Sequence, residues 1–377
     1  MLKIILLPIS LFFIFAKFIK VKILNWGVGE TFVGYVLLKV KFIDFTKLYL
    51  ASLPSNYIII TGTNGKTSTT ALLNHILTSQ SYRVLTNKSG SNLERGVLSA
   101  LVLNLTNYFF KNPDFVVLEV DEASVSKIVS KLTKKTLNLS VIVLNLSRDQ
   151  LDRYGEVDLL AKNIQGSLRQ FPKYLIYSKK SKYSKFFIKP KIVGKQENIK
   201  LINKLKLTDK NLISNLDFVT AVLQDLKINI NNSLVTDFVP VKGRGRVFLL
   251  NNVSYTINLT KNPASFNTNL RNISTAKDRN ILVYVNDNIP DGRDVSWFYD
   301  INYILIKKIF EKNNVFVCGS RGFDFYNFLN LIEVSNFNFN SFENAQKYFE
   351  KTDSHDVTVL SNYSATQDLV KFFNRNV

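Results

Sequence analysis

At 377 residues the chain exceeds an ordinary single domain of roughly 100 to 200 residues, and its 46% hydrophobic and 21% charged residues exclude a chain too polar to bury a core. Its single cysteine, Cys318, excludes an intrachain disulfide and an all-cysteine zinc site, and two histidines, His75 and His355, leave little for histidine-based metal chemistry. The net charge of +20, from 49 Lys plus Arg against 29 Asp plus Glu, predicts attraction to nucleic acid, anionic headgroups or phosphorylated substrates, or reflects compositional drift. No dense Arg/Lys run with interleaved aromatics selects nucleic acid among these.

The first element is an apolar run from Ile4 to Ala16, flanked by Lys3, Lys17, Lys20 and Lys22. At ~1.5 Å per residue it covers only ~20 Å, short of the ~30 Å hydrocarbon core, so it is expected to lie at a membrane interface rather than span it. A packed amphipathic helix and a signal peptide are the alternatives, although no convincing small-residue cleavage site follows.

From Asn56 onward, strand-length apolar runs alternate with helical stretches. Tyr57 to Thr61, Phe115 to Val120 and Val141 to Asn145 are short and rich in β-branched residues, as strands buried on both faces of a parallel sheet should be. Helices are expected over Thr67 to Ser79 and Glu94 to Leu105, which together predict a doubly wound α/β domain. Residues 178 to 210 are Lys-rich and weakly periodic, predicting short strands or loop, and Asn211 to Leu226 reads as helix. A second alternation, with strands at Val247 to Asn251, Ile281 to Val285, Val315 to Cys318 and Val357 to Leu360, predicts a second α/β domain. The expected division is an apolar, basic extension over 1–48, an ATP-binding domain over 49–235 and a C-terminal domain over 236–377.

Between the first strand and its helix lies Gly62-Thr63-Asn64-Gly65-Lys66-Thr67-Ser68. Glycines let backbone N–H groups approach phosphate oxygens, and the helix N-terminus adds partial positive charge. Lys66 is expected at the β/γ-phosphates and Thr67 at a magnesium ion. The usual spacing of four residues between glycines is not met, since Ile60 stands where the first glycine would be. Carboxylates at the ends of parallel strands point into the ligand crevice. Glu119 or Glu122 could therefore hold magnesium, or the acidic cluster could open a helix as an N-cap.

The string GTNGKTST resembles the phosphate loop of the Mur ligase and folylpolyglutamate synthetase superfamily, which implies that ATP phosphorylates a carboxylate and an amine then displaces the phosphate. Further strings resemble the MurT branch: Asn87 to Gly96, Leu118 to Glu122, Asn145 to Glu156, Gly243-Arg244-Gly245-Arg246, Lys261 to Asn267, Val285 to Trp297, Gly319-Ser320-Arg321 and Asn362-Tyr363-Ser364. Gln150 stands where amino-acid-adding relatives carry a histidine. The resemblance places Asn215 at the adenine, although helix capping explains it equally well, and it adds Lys261 and Asn267 to the nucleotide pocket. Arg246 can neutralise a transferring phosphoryl group.

A MurT-like chain is expected to amidate the D-isoglutamyl carboxylate of lipid II, using ATP and Mg2+ in the cytoplasm or at the inner membrane face. The ammonia would come from a separate GatD-like glutaminase subunit whose Cys-His pair Asp294 completes. Asp287, Asp291 and Asp294 share one Gly/Pro loop, as a functional cluster or as ordinary turn formers, and the roles of Asp291 and Asp294 could be exchanged. No zinc is expected, because the region of the family's four-cysteine ribbon has no cysteine here. Nucleic acid is not an expected partner. An amino-acid ligase of the same superfamily and a non-catalytic nucleotide-binding scaffold are the alternatives.

Overall fold

The computed structural model describes residues 1–19, 31–87, 91–133, 138–146, 157–171, 174–181, 183–193, 210–229, 246–273, 279–288, 291, 294–352 and 355–376. These fall into two compact units, the first built from residues before 230 and the second from those after 245. The expected boundary at 235/236 lies outside the described residues, as do Gly243 to Gly245, residues 194–209 of the 178–210 region and the stretch from Ser147 to Glu156 with Gln150.

The first unit is centred on a six-stranded, wholly parallel sheet in the order β2-β3-β1-β4-β5-β6. The strands are β1 (Asn56–Thr61), β2 (Val84–Thr86), β3 (Phe115–Glu119), β4 (Asn138–Val143), β5 (Leu175–Ser178) and β6 (Lys191–Ile192). The β-branched runs are buried because both faces are covered, and alternate residues serve opposite faces. Tyr57 and Ile59 of β1 face a layer that includes α1 (Leu2–Phe18), α2 (Phe32–Leu38), α3 (Phe45–Ser52), α5 (Glu94–Asn104), α6 (Val125–Lys131) and α7 (Val157–Leu168). Ile58 and Ile60 face α4 (Lys66–Ser79) and α8 (Lys210–Asp225), through Leu72, Leu73, Ile76, Phe218 and Val222. Strand order reverses at β1, so the loops after β1, β3 and β4 gather at the carboxyl edge where such sheets hold ligands.

The N-terminal extension is partly absorbed into this unit: Leu6 and Phe13 of α1 and Val33 and Leu37 of α2 join the core. Among the described residues no helix is long and apolar enough to cross a membrane.

The second unit holds another six-stranded sheet, ordered β11-β10-β9-β12-β8-β7. Its strands are β7 (Arg246–Leu250), β8 (Val253–Leu259), β9 (Asn280–Tyr284), β10 (Asn314–Cys318), β11 (Phe337–Phe339) and β12 (Asp356–Ser361). All neighbours are parallel except β7 and β8, an antiparallel hairpin turned by Asn251 and Asn252 at φ 49° and 63°. Asn tolerates that left-handed backbone better than most residues, which suits a two-residue turn. Helices α9 (Pro263–Asn272), α10 (Tyr303–Phe310), α11 (Gly322–Leu331), α12 (Phe342–Phe349) and α13 (Tyr363–Asn376) accompany the sheet.

One backbone approach in this unit admits only glycine. Gly319 follows β10 at φ +103°, and a Cβ there would lie 2.2 Å from the Val285 carbonyl oxygen. Combining a left-handed penalty with an overpacked neighbour, Gly319→Ala should destabilise the chain by about 2–4 kcal/mol, read as a lower urea midpoint.

Candidate active site

The phosphate loop begins as β1 ends. Gly62 takes φ +130°, and a Cβ on it would meet the Asn145 backbone at 2.8–2.9 Å, so the loop can pass this close to the end of β4 only with glycine there. Thr63 donates its N–H to the Asn145 carbonyl at 2.9 Å. The Asn145 side chain clasps the loop from both sides, its Oδ1 accepting the Asn64 N–H at 2.9 Å and its Nδ2 donating to the Asn64 carbonyl at 3.0 Å. Gly65, at φ +91°, opens α4 without any side-chain cap. The first N–H groups of the helix are thus not taken by a capping side chain, the arrangement that suits an anion.

Asn215 packs against this loop, its Oδ1 3.0 Å from where a Gly65 Cβ would stand. Because α8 already begins at Lys210, Asn215 is not its capping residue, and the capping alternative is corrected. It is a buried side chain carried on a helix to the edge of the phosphate loop.

Lys66 is buried and forms an ion pair with buried Glu122 at 3.2 Å while donating to the Gly62 carbonyl at 2.6 Å. Burial disfavours its charge, but the carboxylates of Glu122, Asp121 and Glu119 more than offset this, and its pKa lies above the ordinary lysine value. Thr67 donates its hydroxyl to Glu119 Oε1 at 3.1 Å. Glu119 is set by its neighbours: its N–H donates to Asn87 Oδ1 at 2.9 Å, its carbonyl accepts from Asn87 Nδ2 at 2.7 Å, and its Oε1 lies 3.4 Å from Asn92 Nδ2. A hydroxyl and a carboxylate at this distance beside a phosphate loop are hard oxygen donors of the kind Mg2+ takes. Ser68 lies one residue further along α4.

A cavity of about 220 Å³ extends from Thr67 and Glu119 along α4 and β2, lined also by Thr70, Ala71, Asn74, Thr86 and Asn87. Three buried polar atoms in its wall, Thr70 Oγ1, Asn74 Oδ1 and Thr86 Oγ1, have no hydrogen-bond partner among the described residues. Such atoms fit a small polar ligand or ordered water, and the phosphate loop together with the Thr67–Glu119 pair fits a nucleotide with its divalent ion.

In the second unit, motifs far apart in sequence meet at the carboxyl ends of β9, β10 and β12. Asn286 and Asn362 exchange hydrogen bonds, N–H to Oδ1 at 3.1 Å and Nδ2 to carbonyl at 2.6 Å, and Asn286 Oδ1 also accepts the Ser320 N–H at 3.0 Å. Asp287 accepts from the Ser320 hydroxyl at 2.8 Å and from Arg321 Nε at 2.9 Å, which together hold its carboxyl below the usual range. Asp291 accepts the Ser364 N–H at 2.9 Å and the Ser364 hydroxyl. Asp294 is engaged only locally among the described residues, accepting the Ser296 N–H at 2.8 Å. The three aspartates therefore differ: two brace the sheet edge, and Asp294 is held, among the described residues, by its own turn.

The Lys261 to Asn267 string starts α9. Asn262 and Ser265 form a reciprocal capping box with Pro263 at the first turn, and Asn267 Oδ1 accepts the Asn302 N–H at 2.9 Å. Lys261 precedes the cap, its N–H donating to Ser265 Oγ at 3.0 Å. Arg246 opens β7, and its side chain lies outside the described residues. Cys318 is buried at the end of β10, where burial and then the Glu343 charge push its thiol up, the opposite of an activated nucleophile. Asn145, Asn286 and Asn362 lie inside strings that carry the resemblance but had no role assigned from sequence, and the cavity-lining Thr70, Asn74 and Thr86 were not singled out at all. Their only local signal is a polar residue at a strand end or on an otherwise apolar helix face.

The Mur ligase middle domain model matches residues 60–257, more than half of the 377-residue chain, and the MurT ligase C-terminal model matches residues 259–366. The MurT subunit of lipid II isoglutaminyl synthase (glutamine-hydrolyzing) from Staphylococcus aureus (strain COL) is 26% identical over 359 residues, covering 76% of this chain and 79% of that protein. Its namesake from Streptococcus pneumoniae (strain ATCC BAA-255 / R6) is 38% identical over 148 residues, 39% of this chain and 31% of that one. Among solved structures, MurF from Acinetobacter baumannii superposes with a TM-score of 0.66 at 13% identity, covering 88% of this chain and 78% of that one. The bifunctional folylpolyglutamate synthase/dihydrofolate synthase from Yersinia pestis, complexed with AMPPNP and Mn ion, gives 0.57 at 14%, covering 91% and 98%. These likenesses bear out the expected fold, two α/β units of which the first carries a parallel sheet. With a matched middle domain over half its length and a MurT-type domain following it, the chain belongs to the Mur ligase family, in its MurT branch.

Proposed function

We propose that this chain is the ATP-consuming subunit of a lipid II isoglutaminyl synthase, a carbon–nitrogen ligase of peptidoglycan synthesis. The observation that carries the reading is the phosphate loop with Thr67 and Glu119 paired at 3.1 Å, in a chain whose residues 259–366 match the MurT-type domain. The backbone of Gly62 to Thr67 would hold the nucleotide phosphates, with Lys66 as the cation at the β/γ-phosphates and Asn215 at the edge of the loop. Thr67 and Glu119 would hold Mg2+, which when bound supplies charge neutralisation between nucleotide and substrate carboxylate. Arg246, Lys261 and Asn267 are proposed for nucleotide or phosphoryl contacts. Asn267 already ties α9 to the chain before α10, so its role extends to positioning that helix.

The substrate carboxylate oxygen attacks the γ-phosphorus, ADP leaves, and an acyl phosphate results. Ammonia then attacks the acyl carbon, the C–N bond forms as the C–O bond to phosphate breaks, and a proton leaves the nitrogen. The chain offers no thiol suited to hydrolysing glutamine, since Cys318 is buried and its thiolate disfavoured. A GatD-like partner subunit would supply the ammonia, with Asp294 orienting its histidine. The setting is the cytoplasmic face of the membrane, where nucleotide and lipid-linked substrate meet.

The test is phosphate release by the purified chain with Mg-ATP, lipid II and ammonium, with mass spectrometry on the lipid. Phosphate release together with the mass change of an acid-to-amide exchange is expected. Phosphate without amidated lipid would mean another carboxylate substrate, and neither signal from folded chain, with the partner subunit added, would leave a nucleotide-binding scaffold.

A further inference from the structure

We propose that the outward face of α1 is a bilayer-binding surface that lies flat on anionic phospholipid. Among the described residues the helix is held to the first unit by one side: Leu6, Ser10 and Phe13 are buried, with Ser10 Oγ 3.0 Å from the Tyr49 hydroxyl and that hydroxyl donating to the Leu6 carbonyl at 3.3 Å. The opposite side carries Ile4, Ile5, Leu11, Phe12, Phe15 and Phe18, each between 51% and 64% exposed. At ~100° per residue these six fall within one arc of about 140° that contains no charged side chain. Scattered apolar residues on a surface are ordinary, but an uninterrupted arc along a whole helix marks a contact surface.

The helix ends add to this. Lys3 donates to the Tyr108 and Phe109 carbonyls, and the adjacent Phe110 is 98% exposed. At ~1.5 Å per residue α1 is about 26 Å long, and no described helix is long and apolar enough to cross a membrane, so the surface fits an interface rather than a span.

Charge selects the occupant. Up to Glu30 the sequence contains Lys3, Lys17, Lys20 and Lys22 and no acidic residue, within a chain of net charge +20. A second copy carries the same net positive charge and is repelled, whereas anionic headgroups attract it.

The experiment is cosedimentation of the full chain, without nucleotide or lipid II, with phosphatidylcholine vesicles containing phosphatidylglycerol. Omitting substrate separates a failure here from a failure of the ligase reading. Binding is expected, weakened about tenfold or more in the double variant Phe12→Ser/Phe15→Ser and by high salt, with the urea midpoint of the variant little changed. Absent binding, binding unaffected by the variant, or equal binding to vesicles of phosphatidylcholine alone would overturn the proposal. So would a wild-type dimer in light scattering that the double variant splits while no vesicles are bound, since the face would then join two copies of this chain.

Discussion

Lys66→Met is expected to reduce ATP-dependent amidation about a hundred- to thousandfold and, independently, to destabilise the first unit by about 3–5 kcal/mol. The first effect follows from its place at the opening of α4, where its ammonium would meet the β/γ-phosphates. The second follows from its partner. Glu122 is only 9% exposed, and Lys66→Met takes away the ion-pair partner that this buried carboxylate has at 3.2 Å. The double variant Lys66→Met/Glu122→Gln removes that charge and should recover most of the stability but none of the activity. Comparing urea midpoints with phosphate release separates the two effects, and a double variant as unstable as the single one would refute the pairing argument. No pH dependence near neutrality is expected from this pair through Lys66. Its folded pKa is raised, so its contribution is complete below the ordinary lysine value and is lost only as pH climbs through the raised one.

Asp294→Asn should lower glutamine-dependent amidation by about three orders of magnitude in the assembled enzyme while leaving turnover with free ammonium unchanged. The asparagine preserves size and still offers an oxygen to the Ser296 N–H, so the local backbone is retained. What it loses is the negative charge needed to orient and stabilise a partner histidine. Asp291→Asn provides the contrast, because Asp291 holds both the N–H and the hydroxyl of Ser364. Its loss should lower the melting temperature and depress both activities together. Equal loss of glutamine and ammonium turnover in the Asp294 variant, at unchanged stability, would remove the role in trans and turn attention to Asp287 or Asp291.

Much of the first unit was legible because its signals are local. The runs YIIIT and FVVLE are too short and too uniformly apolar for surface helices, and the Gly-rich turn followed by Lys-Thr marks where a strand hands over to a helix. The KNPAS string is equally legible in retrospect as a helix start, with Asn262 as cap, Pro263 in the first turn and Ser265 closing the box. Asn215 was harder. Its sequence position suggested a cap, but helix α8 starts earlier at Lys210, and only packing against Gly65 gives the side chain its place.

The N-terminal run posed a choice that sequence pattern alone could not make between an interfacial and a packed helix. The structure packs one side of α1, with Leu6 and Phe13 buried, and leaves Phe12 and Phe15 on the other side exposed. Because both sides are apolar, hydrophobic periodicity could not separate them.

By itself the sequence determined the strands and helices it named, the glycine-rich loop between β1 and α4, the single cysteine and the family resemblance, because each is read without knowing which distant residues meet. Only the tertiary structure decided that Asn145 clasps the loop, that Lys66 pairs with Glu122 while Thr67 pairs with Glu119, and that Asn286, Ser320 and Asn362 form one network. The physical reason is that a parallel sheet brings the ends of non-consecutive strands within hydrogen-bonding distance. Partner choice there is settled by strand order and register, which no local pattern of residues specifies.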